Sequence, residues 1–213
     1  MADQTDEEQI ETVKQWLNDN GTSLVVGIVL AVGGVFGYQS WQNSEREAGE
    51  AASKLFEGMM EAVVVAPNVE LDEETIQSSR FIADTLKKDH GSSTYAIFAA
   101  MMMAKLAVED DDLELAAEEL RWVLDQKPAR VVSVVASIRL ARVLLASEKA
   151  DEAFLIVEPL QAGAHESSRQ EVLGDVYVAK GENAKAKAAY QAAIDGNVDG
   201  AVKPILEMKM LDV

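Results

Sequence analysis

Cysteine is absent from all 213 residues. That excludes disulfide staples, thiolate metal ligands and a thiol nucleophile. It does not choose between a reducing and an oxidising compartment, since a cysteine-free domain works in either. Proline is scarce, with four in the chain, and aromatic residues make up only 6%. Histidine occurs twice, as His90 and His165, with no pair at the spacing a zinc site needs. Basic residues are outnumbered, 19 against 37 acids, for a net charge of −18. Phosphate backbones are bound by clustered Lys and Arg, so nucleic acid is excluded as the expected partner.

What remains is rich in Ala, Leu, Val, Glu and Lys. Most of these residues lose little on entering a helix, and with proline scarce the composition predicts an all-α chain. The acidity is spread out. Residues 1–44 hold six acids and one Lys, and residues 45–213 hold 31 acids and 18 bases, a net of −13. A surface of that sign predicts a preference for basic partner segments, weakening with salt.

One stretch breaks the polar pattern. No charged residue occurs between Asp19 and Glu45, and Leu24 to Tyr38 is continuously apolar. Leu24 to Trp41 would span roughly 27 Å as a helix at ~1.5 Å per residue, against a hydrocarbon core of ~30 Å. Tyr38 and Trp41 stand where an interfacial aromatic belt would lie. The segment before the run is acidic rather than basic, and no small-x-small cleavage site follows, so the run reads as an anchor and not a cleaved leader. Residues 22–43 are therefore expected to be a transmembrane helix, holding the chain to a lipid bilayer. Lys14 before the span and Arg46 and Lys54 after it give a nearly even tally, so positive-inside reasoning leaves the orientation open. Gly33 and Gly37 form a small-xxx-small pair that would let a second membrane helix approach. In the tail, residues 1–21, Ile10, Val13, Trp16 and Leu17 recur at helical spacing. They predict a short amphipathic helix stopped at Asn20–Gly21, with Thr22 or Ser23 capping the span.

Residues 44–213 read as helical hairpins. The clearest unit is Leu173–Gly174, Tyr177, Gly181, Ala186, Tyr190 and Ala193, at the offsets of a tetratricopeptide repeat. Small residues at Gly174 and Ala186 would let the two helices approach, with Tyr177 and Tyr190 filling the space beside them. Leu140–Ala141, Leu144, Ala153, Val157 and Leu160 repeat the scheme upstream. Met103–Ala104, Ala107, Ala116, Leu120 and Val123 form a third unit, with Pro128 at its end. Ala116, Ala153 and Ala186 lie 37 and 33 residues apart, close to the period of about 34. A further pair is expected over 45–66 and 72–89, broken at Pro67–Asn68, with Asp72 as a helix cap. Residues 200–211 are expected to be a short final helix capping the stack.

Nothing in the sequence marks a reaction. There is no GxSxG, phosphate loop or GxGxxG. Asp110–Asp111–Asp112 lacks the Gly and distal Glu of a calcium loop and reads as a turn that caps the next helix. The Met101–Met102–Met103 run reads as core filling, although methionine surfaces also suit variable partners. The expectation is a protein without enzymatic activity, metal or cofactor.

Several segments together resemble a known family. Glu11–Thr12–Val13–Lys14–Gln15–Trp16–Leu17–Asn18–Asp19–Asn20–Gly21, the Gly-rich span, and Gly37–Tyr38–Gln39–Ser40–Trp41 are similar to the start of the bacterial YfgM family. Ile138–Arg139–Leu140–Ala141–Arg142–Val143 and the ending Glu207–Met208–Lys209 also resemble it. The resemblance implies a single-pass inner-membrane protein with a cytoplasmic N-terminus and a periplasmic repeat domain. It implies association with the SecYEG translocon and the periplasmic chaperone PpiD, and a task of passing newly translocated, unfolded proteins to chaperones. The other reading the residues leave open is a membrane-tethered repeat adaptor in envelope stress signalling or cell-division machinery.

Overall fold

The computed structural model describes residues 6–63, 71–196 and 203–213. Every element among them is helical. The chain divides into two compact units, Met1–Glu50 and Ala51–Val213. The break expected at Pro67–Asn68 and the first residues of the expected final helix lie outside the described residues.

The first unit consists of the N-terminal part of α1, which runs Asp6–Val63. From Thr22 to Ala48 every residue is exposed. Val29, Leu30 and Phe36 are 63–71% exposed, so this stretch has no apolar partner among the described residues. It is the one helix among the described residues long and apolar enough to cross a membrane. The stop expected at Asn20–Gly21 does not occur, because α1 passes through it. Asn20 turns its amide back to donate to the Trp16 carbonyl at 3.0 Å instead of ending the helix. A Gly inside a helix costs only about 1 kcal/mol relative to Ala, less than the flanking hydrogen-bonded turns retain.

The second unit begins with the last turns of α1 and continues through α2 (Glu73–Asp89), α3 (Thr94–Glu109), α4 (Leu113–Asp125), α5 (Arg130–Ala146), α6 (Ala150–Val157), α7 (Glu166–Ala179), α8 (Asn183–Asp195) and α9 (Lys203–Leu211). A single 3-10 turn, Gly163–His165, precedes α7. The three repeat units read in the sequence are the hairpins α3–α4, α5–α6 and α7–α8.

Local chemistry sets the helix starts. Asp72 accepts from the Thr75 amide at 2.7 Å, Ser93 from Ala96 at 3.1 Å and Asp112 from Leu115 at 3.0 Å. Each satisfies one of the orphan donors of a first turn. The hairpin turns share one geometry. Asp111, Glu148 and Gly181 each take a left-handed conformation, with φ of 61°, 61° and 73°. The residue after each donates to a carbonyl five positions back: Asp112 to Ala107, Lys149 to Leu144 and Glu182 to Tyr177, all at 2.8 Å. This is the Schellman closure of a helix C-terminus.

The core is built largely from small side chains. One cluster joins α3 to α7 around Ala104, Ala116, Leu120, Ala141, Leu144, Ala153 and Val176. A second joins the end of α1 to α2 and α3, with Ala52, Met59, Ala83, Leu86 and Met103. Met103 and Met59 are fully packed, and Met101 and Met102 are half-buried against the two clusters. Met59 and Met103 therefore fill the core, while Met101 and Met102 keep part of their surface. Arg169 ties α7 to the end of α6, donating to the Val157 and Glu158 carbonyls at 3.0 and 3.2 Å while its fork holds Glu166. It supplies donors to carbonyls that a helix end leaves unpaired.

Glu148 is the costly member of the three turns, because its Cβ is crowded in a conformation that glycine adopts freely. Glu148→Gly is expected to raise the stability of the repeat unit by ~0.5–1 kcal/mol, read as a rise in denaturation midpoint. A fall would show that the Glu148 side chain compensates for its backbone.

Candidate protein-interaction site

The residues singled out in the sequence for helix packing are spread over two places. Ala104, Ala116, Ala141 and Ala153 are buried in the central cluster of α3 to α7. Ala186 and Tyr190 are buried in a C-terminal cluster with Leu206 of α9. Tyr177 is half-buried and borders both clusters, its ring 6.0 Å from that of Phe154 in the preceding hairpin. Gly174 is fully covered, and what covers it is Tyr190. A Cβ added at Gly174 would stand 2.4 and 2.5 Å from two carbons of the Tyr190 ring. These residues hold hairpins together, and of them only Ala104 and Tyr177 border a surface depression. Gly33 and Gly37 lie on the exposed part of α1, where an added Cβ meets nothing within 4 Å.

Tyr190 is also the centre of a polar tie. Its hydroxyl donates to Asp175 at 2.7 Å, and the Lys209 ammonium donates to Asp175 at 2.8 Å and to Glu171 at 3.1 Å. Burial and the Asp175 carboxylate both push the Tyr190 hydroxyl far above the usual tyrosine range. Burial acts to lower the Lys209 value, but Asp175 and Glu171 outweigh it and hold the ammonium above the ordinary lysine value. Lys209, one of the family-like residues at the chain's end, thus fixes α9 onto α7.

A surface the sequence reading missed lies between α3 and α5. Met101, Ala104 and Val108 of α3 and Val143 and Ala146 of α5 line an open cleft of about 400 Å³. Its volume is at the low end of the ~300–1,000 Å³ of ordinary ligand sites, enough for a few side chains. The rim carries three cations and one acid: Lys105, Arg139, Arg142 and Glu109. Lys105 pairs with Glu109 at 2.9 Å and Arg142 with Glu171 at 3.0 Å. Arg139 makes no ion pair among the described residues. The sequence did hold a signal. α5 contains Arg130, Arg139 and Arg142 and not one carboxylate, in a chain of net charge −18. Averaging charge over 169 residues concealed it. The rim of this cleft is thus opposite in sign to the overall charge from which a preference for basic segments was inferred.

Comparison with known proteins now places the chain. A family described as a tetratricopeptide repeat-like domain matches residues 14–213. A protein of Aggregatibacter actinomycetemcomitans is 30% identical over 88% of both chains, and its name is ancillary SecYEG translocon subunit. Proteins of the same name from Haemophilus influenzae and Escherichia coli are 27% and 25% identical. The former covers 88% of both chains, the latter 97% of this chain and 96% of its own. This chain belongs to the YfgM family. No solved structure matches it. The YfgM-family match runs through the exposed apolar helix as well as the hairpins, so both units fall within the resemblance.

Gly174→Ala is expected to displace the Tyr190 ring and destabilise the α7–α8 hairpin by ~1–3 kcal/mol, as overpacking does. Thermal unfolding followed by circular dichroism measures it, and an unchanged melting curve would show that the ring moves aside freely.

Proposed function

We propose that this protein is a non-enzymatic, membrane-anchored subunit associated with the SecYEG translocon. Residues 22–43 cross the bacterial inner membrane once, with the N-terminal tail in the cytoplasm and the repeat unit in the periplasm. There it receives newly translocated, unfolded polypeptides and passes them on to periplasmic chaperones, PpiD among them. The observation that carries the reading is the shared name of relatives aligned over nearly the whole chain. The exposed apolar face of α1 supports a lipid environment, since an exposed 18-residue window of such high mean hydropathy has no stable place in water. The repeat unit supports a binding role, because stacked helical hairpins create extended surfaces for partner segments.

The anchor confines weak contacts of the repeat unit to the membrane plane and raises their effective concentration without adding a contact. Lateral helix contact through Gly33 and Gly37, where the backbone is open to close approach, adds to it. Full-length Gly33→Leu with Gly37→Leu, and a fragment starting near Glu45, should each recover at least ~tenfold less translocon in a pull-down from solubilised membranes at equal expression. Equal recovery by the fragment would reduce the anchor to a localisation device. Recovery of no translocon by the intact protein would overturn the reading itself.

Topology has a separate test. Protease added to spheroplasts should digest residues 45–213 and spare the tail. Protection of the repeat unit would reverse the orientation and remove the translocon-exit role.

A further inference from the structure

Three cations meet at one apolar cleft on a protein that is otherwise strongly acidic. The α3 side offers Met101, Lys105 and Val108 at spacings of four and three, one helical face. Val108 is left 45% exposed. The α5 side offers Arg139, Arg142, Val143 and Ala146 along its own face. Lys105 and Arg142 already have carboxylate partners on the protein, at 2.9 and 3.0 Å. Arg139 is exposed and unpaired among the described residues, and no residue one turn away on α5 is acidic. A guanidinium beside an apolar floor is a fork without its carboxylate. The rest of the surface, with 37 acids in the chain, repels an acidic segment, so the cleft is where such a segment finds attraction.

We infer that the α3–α5 cleft docks a polypeptide segment that carries both large aliphatic side chains and a carboxylate. The aliphatic groups seat against Met101, Ala104, Val108 and Ala146, and the carboxylate is taken by Arg139. The segment is short, since the cleft of about 400 Å³ holds a few side chains and no folded domain. Opposed fields make this selective. A basic segment meets Lys105, Arg139 and Arg142 at the cleft, while an acidic segment is turned away elsewhere. The inference deepens the scaffold reading above and rests on it only for the kind of partner, a polypeptide.

The test uses the full chain in nanodiscs of zwitterionic lipid, with empty nanodiscs as the blank. Two fluorescent peptides of equal length and leucine content serve as probes, one with Glu and one with Lys at its polar positions. Fluorescence anisotropy should show tighter binding of the Glu peptide. Arg139→Glu should weaken that binding at least ~tenfold and narrow or reverse the preference, and Arg139→Lys should keep most of it. Arg139 has no ion pair to lose, so melting curves of both variants should match the parent. A parent that prefers the Lys peptide would overturn the inference, as would an Arg139→Glu protein that binds like the parent. Oleate supplies the remaining arm. Arg139-dependent binding of oleate without binding of the Glu peptide would assign the cleft to a lipid and sink the proposal. Translocon recovery in the pull-down does not depend on these probes, so a failure there and a failure here are told apart.

Discussion

Close approach of helices through residues with little or no side chain is what the repeat unit depends on. It has no disulfide, and among the described residues no cluster of three metal-ligating groups. Gly174 leaves the space that the Tyr190 ring occupies beside the α7 backbone. That in turn aims the tyrosine hydroxyl at Asp175, which shares its charge with Lys209 of α9. One missing side chain thus supports a hydrophobic contact, a half-buried hydrogen bond and the docking of the last helix. Buried alanines at positions 104, 116, 141 and 153 do the same between earlier helices. Each contributes little area, and the benefit lies in the dense contacts that short distances permit.

Charge is organised on a different scale from packing. Most carboxylates lie on exposed helix faces, where they keep a small, alanine-rich solenoid soluble and separate. A few are drawn into ties between hairpins. Glu119 is buried on α4 and accepts from Lys87 of α2 at 2.6 Å, and burial pushes its carboxyl up against that pairing. Arg121 reaches Glu152 from α4 to α6, and Arg142 reaches Glu171 from α5 to α7. These links cross hairpin boundaries, so they fix the order of stacking where apolar contact alone is permissive. Against that background the acid-free face of α5 is an exception, and its local field is opposite to the average.

The sequence made the helices and their pairing legible because each repeat puts small residues at fixed offsets, and steric demand at a close contact is strict. The caps at Asp72 and Asp112 were readable for a similar reason, since a first turn needs an acceptor there. The Asn20–Gly21 stop was misread. Gly after Asn suits a C-cap, but α1 keeps its hydrogen bonds through the pair. The geometry of the cleft was not legible, although the acid-free run of α5 was. The cleft is formed by α3 and α5, the first helices of neighbouring repeats, with Leu113 and Leu120 of α4, and no periodicity joins Val108 to Arg139. A regional charge sum erased its one local sign, the missing acids of α5.

The left-handed residues of the three hairpin turns show where this solenoid keeps its ruler. From Asp111 to Ala116, from Glu148 to Ala153 and from Gly181 to Ala186 the chain advances by five residues each time. Yet the same alanines are 37 and then 33 residues apart. All of the drift in length therefore falls elsewhere: in α5, which has 17 residues where α7 has 14, in α4 and α6, with 13 and eight, and in the connectors after them. The bend within a hairpin is invariant because a Schellman closure admits one register. The pitch from one hairpin to the next is free to vary, and with it the width of whatever opens between alternate helices.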